Sequence, residues 1–93
     1  MRSYELMTIH RPALDEDDVR ARVTEMETFL GESGATISST DVWGKRRLAY
    51  EIDHVNEGYY SVIQFKSEAE VVASLDRMLS LSDDVLRHKV FRP

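Results

Sequence analysis

Cysteine is absent from the 93-residue chain. Without thiols, neither a disulfide framework nor a cysteine-based zinc or redox site can form, which is consistent with a reducing compartment. Long apolar runs are also missing, because charged residues interrupt every hydrophobic stretch well short of the roughly 20 residues that a membrane-spanning helix needs. The chain opens with no signal-like segment. We therefore expect a soluble, cytoplasmic protein with no cleaved leader and no membrane partner.

An excess of basic residues is missing as well. Lysine and arginine total 12 against 17 aspartates and glutamates, which gives a formal net charge of -5. A negative chain is repelled by the phosphate backbone, so this balance argues against broad, non-specific nucleic-acid binding. Any contact with RNA has to be local and made where lysine and arginine collect.

Recognisable catalytic patterns are missing too. The sequence has no Gly-x-Ser-x-Gly motif and no glycine-rich phosphate loop. Its histidines, His10, His54 and His88, lack the short or helical spacing that brings metal ligands together, so we expect them to be exposed or half-buried. The carboxylates lie in polar surroundings, which favour no acid-base pair. We expect no enzyme activity, no metal site, no cofactor and no small-molecule substrate.

A phosphate-handling enzyme of the acylphosphatase kind is the alternative that Arg11 suggests, since those enzymes cradle an anion with an arginine after the first strand. Pro12 removes an amide donor at that point, and four acids, Asp15 to Asp18, follow it. These acids would repel the anion that the helix dipole attracts. The sequence therefore disfavours this function.

Hydrophobic periodicity predicts six elements in a single domain that spans residues 1–93. They are a strand Ser3–His10; a helix with Asp15 as N-cap and Gly34 as its left-handed end; a strand Ala35–Ile52 with a bulge near Gly44; a turn Asp53–Gly58; a strand Tyr59–Lys66; a helix that begins at a capping box, Ser67–Glu70; and a strand Val85–Phe91. Their order predicts an α+β, ferredoxin-like split βαβ fold (β-α-β-β-α-β), with a four-stranded antiparallel sheet and two helices on one face.

In that fold the first and third strands are central, the second and fourth are edges, and one sheet face is uncovered. Alternation places on this helix-free face Met7, Ile9, Tyr60, Val62, Arg87, Lys89 and Phe91. A partly apolar face with flanking cations suits docking to protein or RNA, but half-exposed faces are also common in antiparallel sheets. The pattern alone leaves both interpretations open.

The most unusual stretch is the basic run Lys45-Arg46-Arg47, which Trp43-Gly44 precedes and Leu48-Ala49-Tyr50 follows. Three adjacent cations repel one another, so an acidic chain that keeps them together either presents them to something anionic or leaves them in a solvated turn. Composition does not decide between these two alternatives.

Residues Trp43–Ile52 resemble the signature of the bacterial small-subunit ribosomal protein S-six family. Shorter segments at matching intervals are also similar to it: Met1–Glu5, Glu57–Tyr60, Leu75–Arg77 and Asp84–Arg87. The resemblance implies a structural constituent of the bacterial small ribosomal subunit. It further implies that the chain binds the central domain of small-subunit (16S) rRNA together with small-subunit ribosomal protein eighteen.

The resemblance also implies candidate contact residues. Seven cations are candidates for contact with RNA phosphate or with the partner protein: Arg2, Lys45, Arg46, Arg47, Arg87, Lys89 and Arg92. Four residues are candidates for the partner-facing surface: Trp43, Leu48, Tyr50 and Tyr60. Since the sequence ends at Pro93, we expect it to lack the longer C-terminal tail that many relatives carry. The alternative function is a free-standing ferredoxin-like module that dimerises and binds a small ligand.

Overall fold

A computed structural model, which describes residues 1–93, contains the six elements in the predicted order. They are β1 (Arg2–His10), α1 (Glu16–Glu32), β2 (Thr36–Ile52), β3 (Val55–Ser67), α2 (Ala69–Ser80) and β4 (Val85–Phe91). The four strands form one antiparallel sheet in the order β2-β3-β1-β4. This arrangement confirms the ferredoxin-like fold, with β1 and β3 central and the basic run on an edge strand.

The hydrophobic core lies between one sheet face and both helices. Alternate β1 residues such as Tyr4 and Leu6 pack there with Ile63 and Phe65 from β3. The helices contribute Val19, Val23, Met26, Leu30, Leu75 and Leu79, which lie at helical spacing and are all buried. Because both helices use the same sheet face, the other face stays free of helices. Neither helix combines the length and the apolar character needed to cross a membrane.

Helix α1 has the predicted ends. The Asp15 side chain accepts a hydrogen bond from the Asp18 amide, and the Asp18 side chain accepts one in return from the Asp15 amide. At the other end Gly34 has a φ of 89°, and its amide donates to the Gly31 carbonyl while the Ala35 amide donates to the Leu30 carbonyl. This Schellman pattern satisfies carbonyls that the last helical turn would otherwise leave unpaired.

Strand β2 has the predicted bulge. The pairing register with β3 shifts between Val42 and Gly44, and Gly44 has a φ of 88°. Glycine adopts this left-handed conformation without a steric penalty, so it suits the bulge position. The strand continues beyond it to Ile52, where it carries the basic run along the edge of the sheet.

The predicted turn Asp53–Gly58 is wrong in extent. The reversal takes only Asp53 and His54, with φ values of 51° and 65°, and Ile52 pairs directly with Val55. Two consecutive positive φ values characterise the tight turns that match the twist of a hairpin. Gly58 instead lies within β3, where a Cβ would sit 2.5 Å from Ile9 Cγ2 and 3.0 Å from the His10 carbonyl oxygen. Close packing, rather than turn geometry, accounts for this glycine.

The predicted capping box at Ser67–Glu70 is also wrong. Ser67 pairs with Arg2 as the last residue of β3, and its hydroxyl donates to the Glu68 carbonyl. Glu68 is the N-cap of α2, without a side-chain hydrogen bond to the helix. Ser67 therefore belongs to the ladder between β1 and β3, although the local sequence indicated a helix cap.

The histidines differ from expectation at one position. His54 is exposed and His88 is half-buried, as expected, whereas His10 is fully buried at the end of β1. Thr8 and His10 are two positions apart on β1, so their side chains lie on the same face of the sheet. This is the face that packs against the helices, and both residues are fully buried there.

Candidate functional site

Charge is divided between the two layers of the fold. The two helices contain eight acidic and three basic residues, while the four strands contain seven basic and four acidic residues. The negative net charge of the chain therefore resides in the helices and loops. An anionic partner is repelled least on the sheet side.

Ion pairing strengthens this division. Arg11 pairs with Asp53 at 2.7 Å, Arg22 with Asp84 at 2.8 Å, and Arg20 with Glu16 at 3.8 Å. None of the seven candidate cations has an acidic partner within 4.0 Å. The arginines of α1 and of its preceding loop are thus neutralised locally, whereas the candidate cations keep their charge available to another molecule.

The basic run is exposed to solvent along its whole length. Lys45, Arg46 and Arg47 are all exposed, and they pair in turn with Tyr59, Gly58 and Glu57 of β3. Strand alternation sends Arg46 to one face and Lys45 and Arg47 to the other. The Lys45 ammonium lies 5.3 Å from the centre of the Tyr59 ring. The three charges therefore surround the edge strand instead of forming one flat patch.

An aromatic pair lies beside the basic run. Trp43 stacks on Tyr60 with the ring centroids 5.7 Å apart and an interplanar angle of 9°. Tyr60 pairs with Ile9 and Gly44, so it belongs to the helix-free face, and Trp43 remains 41% exposed. Rigid aromatic side chains of this kind anchor many protein interfaces.

The outer part of the β2–β3 hairpin extends past the last residue of β1, because His10 pairs with Tyr59. We call residues 46–58 the hairpin arm. Within it, the Tyr50 hydroxyl accepts a hydrogen bond from Arg87 of β4, whose guanidinium carbon lies 5.5 Å from the centre of the tyrosine ring. Since β3 and β1 separate β2 from β4 in the sheet, this contact joins the two edge strands across the helix-free face.

A second contact holds the tip of the arm. Arg11 donates to Asp53 at 2.7 Å and to the Asp83 carbonyl, so it joins the tip to the loops before α1 and before β4. The hydrogen bond and the charge of Arg11 hold the pKa of Asp53 below its usual value. Arg11 is therefore a structural anchor, and it is not free to cradle a phosphate. No cluster of three potential metal ligands exists either.

Leu48 departs from the expectation of a partner-facing residue. It is only 7% exposed, and Ile9 and Val62 are buried as well although their strand positions place them on the helix-free face. Leu48 offers a partner little surface in this conformation, whereas Tyr50 is 59% exposed.

The remaining candidates lie elsewhere. Arg2 begins β1 and Arg92 follows β4, both at the end of the sheet opposite the arm. Arg87 pairs with Ile9 of β1, and Arg2 lies seven residues before Ile9 on the same strand. At roughly 3.3 Å per residue, the two ends of the sheet are therefore about 23 Å apart. Lys89 pairs with Met7 between the two ends. The structure therefore separates the candidates into an arm-end group (Lys45, Arg46, Arg47 and Arg87) and a far-end group (Arg2 and Arg92).

One cation of the far-end group was missed in the sequence. Lys66 of β3 is exposed, has no ion pair, and pairs with Ser3 next to Arg2. No local motif marks it, because only the strand register brings it near Arg2. The far-end group then comprises three cations.

A model of the family described as ribosomal protein S6 matches residues 3–92. The chain belongs to the ribosomal protein S6 family. Curated proteins named small ribosomal subunit protein bS6 are similar over nearly their full length. The one from Desulforamulus reducens is 44% identical over 92 residues, covering 99% of this chain and 97% of the relative. The one from Clostridium botulinum strain Loch Maree is 42% identical over 90 residues, covering 97% of this chain and 96% of the relative.

A solved structure gives the same result. The crystal structure of 30S ribosomal protein S6 from Thermotoga maritima matches with a TM-score of 0.94 and 29% identity, covering 99% of this chain and 87% of that one. The C-terminal domain of MgtC from Mycobacterium tuberculosis matches with a TM-score of 0.62 at 16% identity, which shows the fold alone. Membership of the S6 family makes the chain a structural, non-enzymatic ribosomal protein of the small subunit.

Proposed function

We propose that this chain binds the central domain of 16S rRNA as one half of a pair with small-subunit ribosomal protein eighteen, in the ribosomes of the bacterial cytoplasm. The main observation in support of the proposal is that the candidate cations have no acidic partners within the chain. All seven lie on or next to the strands and none has an acidic partner, while the arginines of α1 are ion-paired. Unpaired cations on an acidic protein are available to phosphate or to acidic side chains.

The two ends of the sheet suit different partners. The arm end combines cations with the exposed aromatic residues Trp43 and Tyr50, and Trp43 stacks on the half-buried Tyr60. Aromatic residues and arginine dominate the energetics of protein interfaces. We therefore assign the arm end to protein eighteen.

The far end offers charge without an exposed aromatic pair. Arg2, Lys66 and Arg92 are exposed and unpaired there, close to the chain terminus that follows β4. Phosphate contacts need only such positive groups, and each contact releases counterions from the RNA. We therefore assign the far-end group to the rRNA backbone.

A basic partner explains how an acidic chain can enter an RNA particle. With a net charge of -5, the chain alone is repelled by phosphate at long range. A partner that supplies most of the phosphate neutralisation removes this barrier and leaves only local contacts to the far-end group. The binding of rRNA should then depend on formation of the pair.

Filter binding to a central-domain rRNA fragment tests the proposal. The chain alone should bind the rRNA fragment weakly. Addition of protein eighteen should lower the dissociation constant by at least about tenfold, which corresponds to about 1.4 kcal/mol of binding free energy. Equal affinity with and without the partner would contradict the pairing. The Glu25→Ala variant is a suitable control, because Glu25 lies on α1, away from the candidate cations. This variant should bind the rRNA fragment as wild type does, both with and without protein eighteen.

The alternative function, an edge-to-edge dimer, has one observation in its favour. Strand β2 spans 17 residues and pairs only with β3, so its outer edge has free backbone groups. Bulging at Gly44 and the exposed basic run oppose close pairing of two such edges by steric and charge repulsion. Sizing of the purified chain distinguishes the two functions, since the proposed pair predicts a monomer in the absence of protein eighteen.

A further inference from the structure

Asp41 of β2 carries a negative charge that the chain does not neutralise. It pairs with Val62 of β3, which in turn pairs with Met7, so its side chain lies on the helix-free face. Asp41 is exposed, and its carboxylate has no basic side chain within 4.0 Å. Its neighbours on that face, Ser39, Val62 and Gln64, are uncharged. The carboxylate is therefore available to a cation from another molecule.

The ring of Trp43 lies next to Asp41 on the same face. Residues two positions apart on a strand are roughly 6 to 7 Å apart and share a face. Trp43 stacks on Tyr60 at 5.7 Å with an interplanar angle of 9°, and it remains 41% exposed. Tyr60 thus holds the indole in one orientation and leaves its other side open. A ring held in this way loses little conformational entropy when a partner covers it.

We propose that Trp43 and Asp41 together bind one arginine side chain of the protein partner. The guanidinium stacks on the open side of the indole and donates hydrogen bonds to the carboxylate. This inference rests on the proposed function, in which the arm end contacts protein eighteen. Arginine suits the site better than lysine, because its planar guanidinium can stack on an aromatic ring and donate two parallel hydrogen bonds to a carboxylate.

The charges near the site favour a protein cation over a nucleotide. A nucleobase on the Trp43 ring would bring its phosphate close to Asp41, and two negative charges repel each other. The basic run lies on the other side of Trp43 along the strand, beyond Gly44. Its first member, Lys45, lies 5.3 Å from the centre of the Tyr59 ring. The basic run therefore leaves Asp41 unpaired and free to attract an arginine.

NMR of the assembled pair tests for the arginine directly. Protein eighteen labelled with ¹⁵N-arginine is mixed with a saturating amount of the unlabelled chain. The Nε–H proton of one arginine should shift upfield on formation of the pair, because the ring current of the indole shields a group stacked on it. Trp43 is the single tryptophan of the chain, so the shift should disappear with the Trp43→Leu variant.

The dissociation constant of the pair tests the carboxylate. Asp41→Asn keeps the shape of the side chain but removes its charge, and it should weaken the pair by at least about tenfold, as expected for a charged hydrogen bond. In the Trp43→Leu background the same change should cost less, since the ring no longer holds the arginine beside the carboxylate. Asp17→Asn is the matched control, because Asp17 is an exposed acid on α1, and it should leave the dissociation constant unchanged.

The outcomes distinguish this site from the proposed function. A wild-type dissociation constant for Asp41→Asn, or the absence of an arginine resonance that depends on Trp43, would overturn the site while the pair still forms. Failure of the unmodified chain to pair with protein eighteen would overturn both proposals. A change in Trp43 fluorescence on addition of the rRNA fragment without protein eighteen would show that a nucleobase takes the ring, and it would also overturn the site.

Discussion

Tyr50 of the edge strand β2 contacts Arg87 of the opposite edge strand β4, across two intervening strands. This contact ties the hairpin arm to β4, and the Arg11–Asp53 ion pair ties its tip to the loop before α1. Leu48 of the same arm is buried, whereas Tyr50 is exposed beside Arg87. Two residues that are 37 positions apart thereby become parts of one surface.

The buried apolar stripe of α2 should dominate stability over the exposed cations. Leu75 is fully buried in the core, whereas Arg46 is exposed. Leu75→Ala should reduce the free energy of unfolding by about 2 to 5 kcal/mol, and Arg46→Ala by less than about 0.5 kcal/mol. Urea unfolding measures both changes. Similar midpoint shifts for the two variants would be inconsistent with this core.

Gly58 should be intolerant of a side chain. An added Cβ would lie 2.5 Å from Ile9 Cγ2 and 3.0 Å from the His10 carbonyl oxygen, so strand β1 would have to move. Gly58→Ala should cost about 1 to 3 kcal/mol of stability through overpacking. Gly31→Ala is the matched control, because its Cβ would meet nothing within 4 Å on α1, and alanine favours the helix by up to about 1 kcal/mol. A neutral Gly58→Ala would show that β1 and β3 are less closely packed than described.

Stability should fall in mild acid because of His10. Its pKa is lowered from 6.5 to about 4, chiefly by burial, so the unfolded chain binds a proton that the folded chain excludes. Folded stability from this source is complete above about pH 6.5 and is lost as the pH falls towards 4, by about 3 kcal/mol. Nearby Asp84 raises this pKa and Arg22 lowers it, and both effects are smaller than that of burial.

Urea unfolding at pH 7 and pH 4 measures the effect. Wild type should lose about 3 kcal/mol more than His10→Phe between these pH values, since both share the titration of the carboxylates. The same loss in His10→Phe and wild type would show that His10 is not the titrating group.

Local patterns predicted the elements because each of them depends on neighbours in the sequence. The stripe of α1, the Asp15 cap, Gly34 and the bulge at Gly44 all have local physical causes, and all were confirmed. Gly58 was assigned to a turn because its packing against Ile9 depends on strands that are distant in sequence. Ser67 was assigned to a cap for the same reason, since the β-ladder decides its place.

For the candidate residues, exposure was predictable from the sequence more than arrangement. The basic run and its exposure follow from three adjacent cations on an edge strand. The contact of Tyr50 with Arg87 and the burial of Leu48 depend on the folded sheet, which brings together residues that are distant in sequence. Lys66 has no motif, and only the register of β3 on β1 places it near Arg2.

The central claim is that unpaired cations at the two ends of the sheet contact different partners. Two triple alanine variants test it in complex with protein eighteen. The arm-end variant replaces Lys45, Arg46 and Arg47, and the far-end variant replaces Arg2, Lys66 and Arg92. All six residues are exposed and unpaired, so both variants should fold, which thermal unfolding checks first.

The most direct measurement is the slope of log affinity against log salt for rRNA binding by the assembled pair, together with the dissociation constant of the pair itself. The account predicts a slope about 2 to 3 smaller for the far-end variant, at roughly 0.7 to 0.9 for each lost phosphate contact, with an unchanged affinity between the proteins. It predicts a weakened pair for the arm-end variant, with an unchanged slope once the pair is saturated. A wild-type salt slope and a wild-type dissociation constant of the pair in both variants would contradict the account. They would show that the cations are solvated surface residues that contact neither partner.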